Sequence, residues 1–148
     1  MKVHVPQNDL VFTDFGTVIG SIYLDVNGVM FPEKNWKDFP FILFGWWWDG
    51  LMKLNADPSA EFLFMDGDFE FILEKNAQCA EQMADVTLLD SGEPVDLKSS
   101  EISLKSFKDS FLQTAKQMVA IAHSKNWENS DIKGLNIRVN GFDSQYKF

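Results

Sequence analysis

The sequence is poor in arginine and cysteine, and each scarcity excludes a class of function. Arg138 is the only arginine, and 13 basic residues stand against 22 acidic ones, which gives a net charge of −9. Nucleic-acid binders neutralise phosphates with clustered Lys and Arg, so this composition argues against such a partner. The single cysteine, Cys79, excludes an intramolecular disulfide and a cysteine-based zinc site.

Long apolar runs are also missing. The longest one covers residues 39–48, whereas a membrane-spanning helix needs about 20 apolar residues. The opening segment MKVHVPQNDLVF has an early proline and lacks the continuous apolar stretch of a signal peptide. We therefore predict a cytoplasmic protein that makes no contact with a membrane.

The residues that are present are typical of one globular domain covering residues 1–148. Apolar residues make up 45% of the chain, which is enough to build a core. Charge is uneven, because residues 1–96 hold 17 acids and 5 bases, whereas residues 97–148 hold 5 acids and 8 bases. Two interpretations stay open: a solvated surface that keeps the protein soluble, or an acidic face that meets a basic partner.

Two dipeptides predict β-hairpins. Asn27-Gly28 follows an alternating strand and favours a type I′ turn, with a short return strand over residues 29–31. Asp66-Gly67 separates AEFLFM from DFEFIL, and four phenylalanines then share one face while the other face is mixed and wet. The predicted pairs are Met65 with Asp68, Phe64 with Phe69, and Phe62 with Phe71.

Further strands are expected downstream. Residues 81–90 alternate in a way that predicts a strand, and Ser91-Gly92 supplies a turn. Neighbouring strands pair as an antiparallel meander by default. The apolar residues on one face of the strand are Ala84, Val86 and Leu88, and the later strand segments contain Val95, Leu97, Ile102 and Leu104.

The Trp-rich segment 36–54 predicts a helix that is apolar nearly all round and buried on more than one side. Asn35 is its expected N-cap, with Asp38 reaching back to it. Gly45 and Gly50 mark either a close approach of another element or a break in the helix.

Helical spacing is strongest in residues 106–125, where Ser106 and Asp109 form the expected cap. Residues 130–139 fit either a short helix capped by Ser130 or a strand, and we favour the helix. Residues 142–148 are expected to be mobile. The predicted fold class is α+β: an antiparallel, meander-rich β-sheet packed against a long C-terminal amphipathic helix, with the Trp-rich helix inserted between hairpins.

No catalytic signature is present, since GxGxxG, GxxxxGK[ST], HExxH and GxSxG are all missing. His4 and His123 have no convergent partners in sequence, and His123 suits a helix C-terminus without catalysis. The acids around Gly67 do not match a calcium loop, because the glycine is second rather than sixth. We therefore expect no enzyme, no bound metal and no cofactor.

Trp46, Trp47 and Trp48 point about 100° apart on a helix, so they cannot form one flat platform. We expect two of them in the core and the third partly exposed as an anchor for a partner.

The stretch MFPEKNWKDFPFILFGWWWDGLMKL followed by EFLFMDGDFEFIL resembles a pattern in small bacterial proteins. In that pattern an "FP…W.DF" entry leads to a Trp-rich helix and an "F.DG" hairpin. It is similar to immunity proteins of bacterial polymorphic-toxin and contact-dependent-inhibition systems, over roughly residues 30–74 and loosely the helix over residues 107–127. The resemblance implies a protein that binds a partner and catalyses no reaction.

The partner so implied is a toxin domain, for example a nuclease with a basic cleft that an acidic inhibitor covers. The alternatives are a small intracellular adaptor with another partner, or a small-ligand-binding domain that uses the Trp cluster. The expected contact residues of the first reading are Asp66, Asp68, Glu70 and Glu74 on the hairpin, with Asp49 and Trp46 on the Trp-rich helix.

Overall fold

A computed structural model describes residues 1–76 and 83–148, so Cys79 and the first part of the predicted strand 81–90 lie outside the described residues. Within these ranges the α-helices are α1 (Pro40–Lys53), α2 (Leu104–Ser124) and α3 (Ser130–Asn140), and a short 3-10 helix covers Gln7–Asp9. The strands are β1 (Lys2–His4), β2 (Val11–Phe12), β3 (Val18–Ser21), β4 (Tyr23–Val26), β5 (Val29–Phe31), β6 (Lys37–Asp38), β7 (Ser59–Leu63), β8 (Phe69–Lys75), β9 (Met83–Asp90), β10 (Glu93–Pro94) and β11 (Glu101–Ser103).

The main sheet is antiparallel and runs in the order β10-β9-β8-β7, with β11 also pairing with β9. Strands β7 to β10 form the predicted meander, because each pairs with its neighbour in sequence, whereas β11 pairs with β9 and not with β10. Two smaller sheets, β1-β4-β5 and β2-β3-β6, complete the strands described. The α+β prediction is confirmed, including the long helix near the C-terminus and the Trp-rich helix between the hairpins.

The core lies between the main sheet and helices α1 and α2. Phe44 of α1 stacks on Phe111 of α2 with ring centroids 4.4 Å apart. Trp47 meets Phe64 and Phe71 edge to face, both at 5.1 Å. Such aromatic contacts bury large rings in favoured geometries, so the phenylalanine face of the hairpin is the inner face of the sheet.

Both predicted turns form, but the second is wider than predicted. Asn27 and Gly28 have φ values of 53° and 90°, as a type I′ turn requires. In the second hairpin the predicted register holds where Phe62 pairs with Phe71. Met65 does not pair with Asp68, because its N–H donates to the Asp38 carboxylate at 3.0 Å instead.

The expected start of α1 is wrong. The helix begins at Pro40 with Phe39 as N-cap, because residues 37–38 pair with β3 as a strand and Pro40 fits the first helical turn, where its missing N–H costs little. Asn35 instead has a φ of 63° and lies outside the helix.

The caps of the later helices also differ from those predicted. Ser103, not Ser106, caps α2 by accepting the Ser106 N–H at 3.2 Å, so Leu104 opens the helix rather than ending a strand. The predicted helix over 130–139 is confirmed, although Asn129 rather than Ser130 accepts the Ile132 N–H at 2.8 Å.

Residues 142–148 are packed, in contrast to the expected mobility. The Trp48 indole donates to the Tyr146 carbonyl at 2.9 Å. The ring of Phe148 lies 4.9 Å from that of Trp48 and 5.7 Å from that of Phe111. The half-buried aromatic rings of the tail thus find partners over the α1–α2 core.

Candidate functional site

The face of the main sheet that points away from α1 is rich in carboxylates. In β7 and β8 the buried phenylalanines alternate with exposed or half-exposed residues, and β9 continues the pattern. None of the strand residues described on this face is lysine or arginine. We call it the outer sheet face, and its carboxylates are Glu61, Glu70, Glu74, Asp85 and Glu101.

Three of these acids form a row across neighbouring strands. Glu74 of β8 pairs directly with Asp85 of β9, and Asp85 pairs directly with Glu101 of β11. The Ser100 hydroxyl donates to Asp85 at 2.8 Å. Like charges directly opposite each other destabilise an antiparallel pair. The row therefore concentrates negative potential on the face at some cost to the sheet.

Apolar side chains lie among these acids on the outer sheet face. Leu63 is 49% exposed, and Ile72 and Leu89 are half-buried. Leu63 and Leu89 both pair with Glu70, and Ile72 pairs with Glu61, so each apolar side chain lies directly beside a carboxylate. The outer sheet face thus offers apolar contact area as well as negative charge.

Asp66 and Asp68 lie at the exposed tip of the hairpin, and a buried carboxylate holds that tip. Asp38 is only 3% exposed. It accepts the N–H groups of Phe39 at 2.7 Å, Met65 at 3.0 Å and Asp66 at 3.1 Å. One side chain thus joins the start of α1 to the hairpin tip.

Trp46 and Asp49 lie elsewhere, in a groove of about 170 Å³ between α1 and α3. Trp46 is 45% exposed, whereas Trp47 and Trp48 are fully buried, as the sequence predicts. Both Asp49 oxygens accept from one nitrogen of Arg138, at 2.9 and 3.1 Å. The charge of Asp49 is therefore partly balanced within the molecule.

The six expected contact residues thus fall into separate groups. Glu70 and Glu74 lie on the outer sheet face, Asp66 and Asp68 lie at the hairpin tip, and Trp46 and Asp49 belong to α1, which packs on the opposite, inner face of the sheet. Glu61, Asp85 and Glu101 also lie on the outer sheet face but are not among the expected contact residues. Their alternation with buried neighbours was the available sequence signal for Glu61 and Asp85, whereas sequence does not reveal the pairing that brings Glu101 beside Asp85.

The two histidines have different surroundings. His4 stacks on Tyr23 with centroids 5.0 Å apart, and His123 is exposed in the last turn of α2. Among the residues that the structure describes, no group of three His, Cys, Asp or Glu side chains is arranged to hold a metal ion. In the same ranges, no helix combines the length and apolar character needed to cross a bilayer.

In comparisons with known proteins, no family model, no curated protein and no solved structure matches this chain.

Proposed function

We propose that this chain is a binding protein that docks its outer sheet face on a basic surface of a partner protein. The observation that carries the proposal is the set of five carboxylates on this face with no basic strand residue among those described. Carboxylates that have no cation within their own sheet face remain available to cations of a partner. Their combined field also speeds encounter with a basic surface.

The more specific form of the proposal is an immunity protein that neutralises a toxin domain. It is supported by the resemblance of residues 30–74 to such proteins and by the acidic face. A nuclease domain must be basic where it binds its substrate, so an acidic protein seated there would block access. The chain would then act by occlusion and would catalyse no reaction.

The adaptor alternative shares the acidic face and differs only in the identity of the partner. The ligand-binding alternative is less well supported. Trp47 and Trp48 use their indole N–H groups on the carbonyls of Leu63 and Tyr146, at 2.8 and 2.9 Å. The groove beside Trp46, at about 170 Å³, is smaller than the roughly 300–1,000 Å³ of ordinary ligand sites.

The test is neutralisation of the carboxylate row. The genes on either side of this one are cloned, and the variant Glu74→Gln/Asp85→Asn/Glu101→Gln is titrated against a basic domain that one of them encodes. Its protection of cells that express that domain is then measured. We expect affinity to fall at least tenfold and protection to be lost. The matched control, Asp14→Asn/Glu33→Gln/Asp143→Asn, removes three exposed acids from other surfaces and should bind nearly as the parent does.

Equal loss in both triple variants would mean that only net charge matters, and the outer sheet face would be the wrong site. If the unmodified protein neither binds nor protects against that domain, the immunity reading is wrong. Capture of a different basic partner through the same row would then favour the adaptor.

A further inference from the structure

The free edge of β7 suggests how a partner engages the outer sheet face. Within the described residues, β7 is the last strand of the main sheet and pairs only with β8. Unpaired edges offer backbone groups on which another strand can be added. Strand addition therefore requires backbone groups of β7 that point away from β8.

Two hydrogen bonds fix that orientation. Lys75 N–H donates to the Pro58 carbonyl at 2.8 Å, and Phe64 N–H donates to the Phe69 carbonyl at 3.0 Å. Because backbone direction alternates along a strand, Ala60 and Phe62 face β8. The N–H and C=O groups of Ser59, Glu61 and Leu63 consequently face the free edge.

Only one of those outward groups has a partner among the described residues. The Leu63 carbonyl accepts the Trp47 indole N–H at 2.8 Å, which places the indole at one end of the edge. Three N–H groups and two C=O groups remain, and they belong to a strand whose outward residues are half-exposed or exposed. That set is enough for a short added strand.

The charge at the centre of the edge selects the occupant. A second copy of this chain paired antiparallel about Glu61 would place Glu61 opposite Glu61, and like charges in that position repel. A strand with lysine or arginine opposite Glu61 would gain the opposite interaction. Its next basic residues would lie opposite Ser59 and Leu63, in the cross-strand rows that continue to Glu74 and Glu70 of β8.

We propose that the partner adds a strand to the β7 edge and turns lysine or arginine side chains toward the outer sheet face. The step rests on the proposed function, since it assigns a binding mode to the same partner. Residues directly opposite Ser59 and Glu61 exchange backbone hydrogen bonds with them, the residue opposite Leu63 accepts its N–H, and all three project to the same face. Basic side chains at alternate positions of the added strand therefore meet the acids while the backbone closes the edge.

The probe for the test is the end-blocked peptide Lys-Thr-Lys-Val-Lys-Thr-Lys. Its control carries methyl groups on the backbone nitrogens of the two lysines that flank valine, which keeps every charge and removes two N–H donors. We expect the control to bind at least tenfold more weakly. We also expect the parent peptide to slow hydrogen exchange of the Glu61 and Leu63 amides.

Protein variants supply the complementary measurement. Glu61→Pro removes an outward N–H that β8 does not use, a place where an edge strand tolerates proline. Glu61→Gln removes the same charge and keeps the N–H. We expect a tenfold loss of peptide affinity for Glu61→Pro and two- to threefold for Glu61→Gln. The methylated peptide leaves the protein unchanged, so the test stands even where Glu61→Pro fails to fold.

Equal binding of the two peptides, no binding of the parent peptide, or unchanged exchange at Glu61 would each overturn strand addition. A dimer of the free protein that Glu61→Pro abolishes would assign the edge to a second copy and overturn the proposed occupant. Failure of the proposed function has a different signature, because it appears as equal behaviour of the two triple variants toward the effector domain.

Discussion

At the scale of single residues, Asp38 does the most to connect distant parts of the chain. Its carboxylate accepts three backbone N–H groups from α1 and the hairpin tip. A buried donor that loses its acceptor costs about 1–3 kcal/mol. The hairpin tip that carries Asp66 and Asp68 therefore depends on this one side chain.

We predict that Asp38→Ala lowers the free energy of unfolding by about 3 kcal/mol, because it leaves three N–H groups without their acceptor. Urea denaturation followed by tryptophan fluorescence measures the change. Asp14→Asn, on an exposed loop, is the control and should shift it by less than about 0.5 kcal/mol. A similar small shift for both variants would contradict the role assigned to Asp38.

Asp9 gives a prediction on pH. The Ser21 hydroxyl, which donates to Asp9 at 2.6 Å, and the Lys37 ammonium at 3.2 Å lower the pKa of the Asp9 carboxyl. A carboxyl whose pKa is lower in the folded state stabilises the fold at pH values above its unfolded-state pKa of about 3.9. This stabilisation is lost as the pH falls through the folded-state pKa.

The stability difference between the parent protein and Asp9→Asn should therefore be constant above about pH 5 and shrink as pH falls below it. Carboxyl NMR titration of Ser21→Ala should show the Asp9 pKa moving back toward its ordinary value. A pKa that stays unchanged in Ser21→Ala would mean that this hydrogen bond does not set it.

At the scale of elements, the two glycines of α1 make a matched pair. A Cβ at Gly50 would lie 2.8 Å from a ring carbon of Phe62, whereas a Cβ at Gly45 would meet nothing within 4 Å. Phe62 cannot move away easily, because it is buried and stacked on Phe71 at 4.5 Å. Gly50 thus marks the close approach of β7, and Gly45 marks neither an approach nor a break.

We predict opposite effects for the two alanine variants. Gly45→Ala should raise the free energy of unfolding by about 1 kcal/mol, the usual helix preference for alanine. Gly50→Ala should lower it by about 1–3 kcal/mol through overpacking against Phe62. Denaturant titration of both variants decides the point, and two changes of the same sign would contradict this packing.

The sequence predicted which segments form helices and strands better than it predicted where those segments end or which strands pair. Apolar periodicity located α1, α2, α3 and the main hairpin because burial of one face dictates it. The predicted cap of α1 is wrong because residues 37–38 pair as a strand and Pro40 fits the first helical turn, whereas the caps of α2 and α3 lie one to three residues before the predicted serines. The row of Glu74, Asp85 and Glu101 depends on strand order, which local patterns do not encode.

At the scale of the whole molecule, the tail closes over the junction of α1 and α2. Phe148 contacts Trp48, Phe111 and Phe142, and Asn55 donates to the Lys147 carbonyl at 3.1 Å. Aromatic neighbours bury area that residues 142–148 could not bury alone, which is why local polarity wrongly predicted mobility.

Phe148→Ala should cost about 2 kcal/mol of stability, less than a fully buried phenylalanine because this ring is half-buried. It should also shift tryptophan emission to longer wavelength, as water reaches Trp48. Phe15→Ala is the control, since Phe15 is 97% exposed. An emission spectrum that stays at the parent wavelength in Phe148→Ala would mean that the tail does not shield Trp48.

Because of the carboxylate row, we expect added salt to have opposite effects on the stability of the protein and on its association with a basic partner. At 1 M salt the screening length falls to about 3 Å, which is shorter than the roughly 5 Å between directly opposite side chains, so molar salt weakens the mutual repulsion of Glu74, Asp85 and Glu101. Sodium chloride should therefore raise the melting temperature of the free protein while it slows association with a basic partner. The repulsion within the isolated sheet and the attraction proposed for a basic partner then have the same electrostatic origin. The salt concentration at which the protein is most stable is therefore the one at which the proposed binding is weakest.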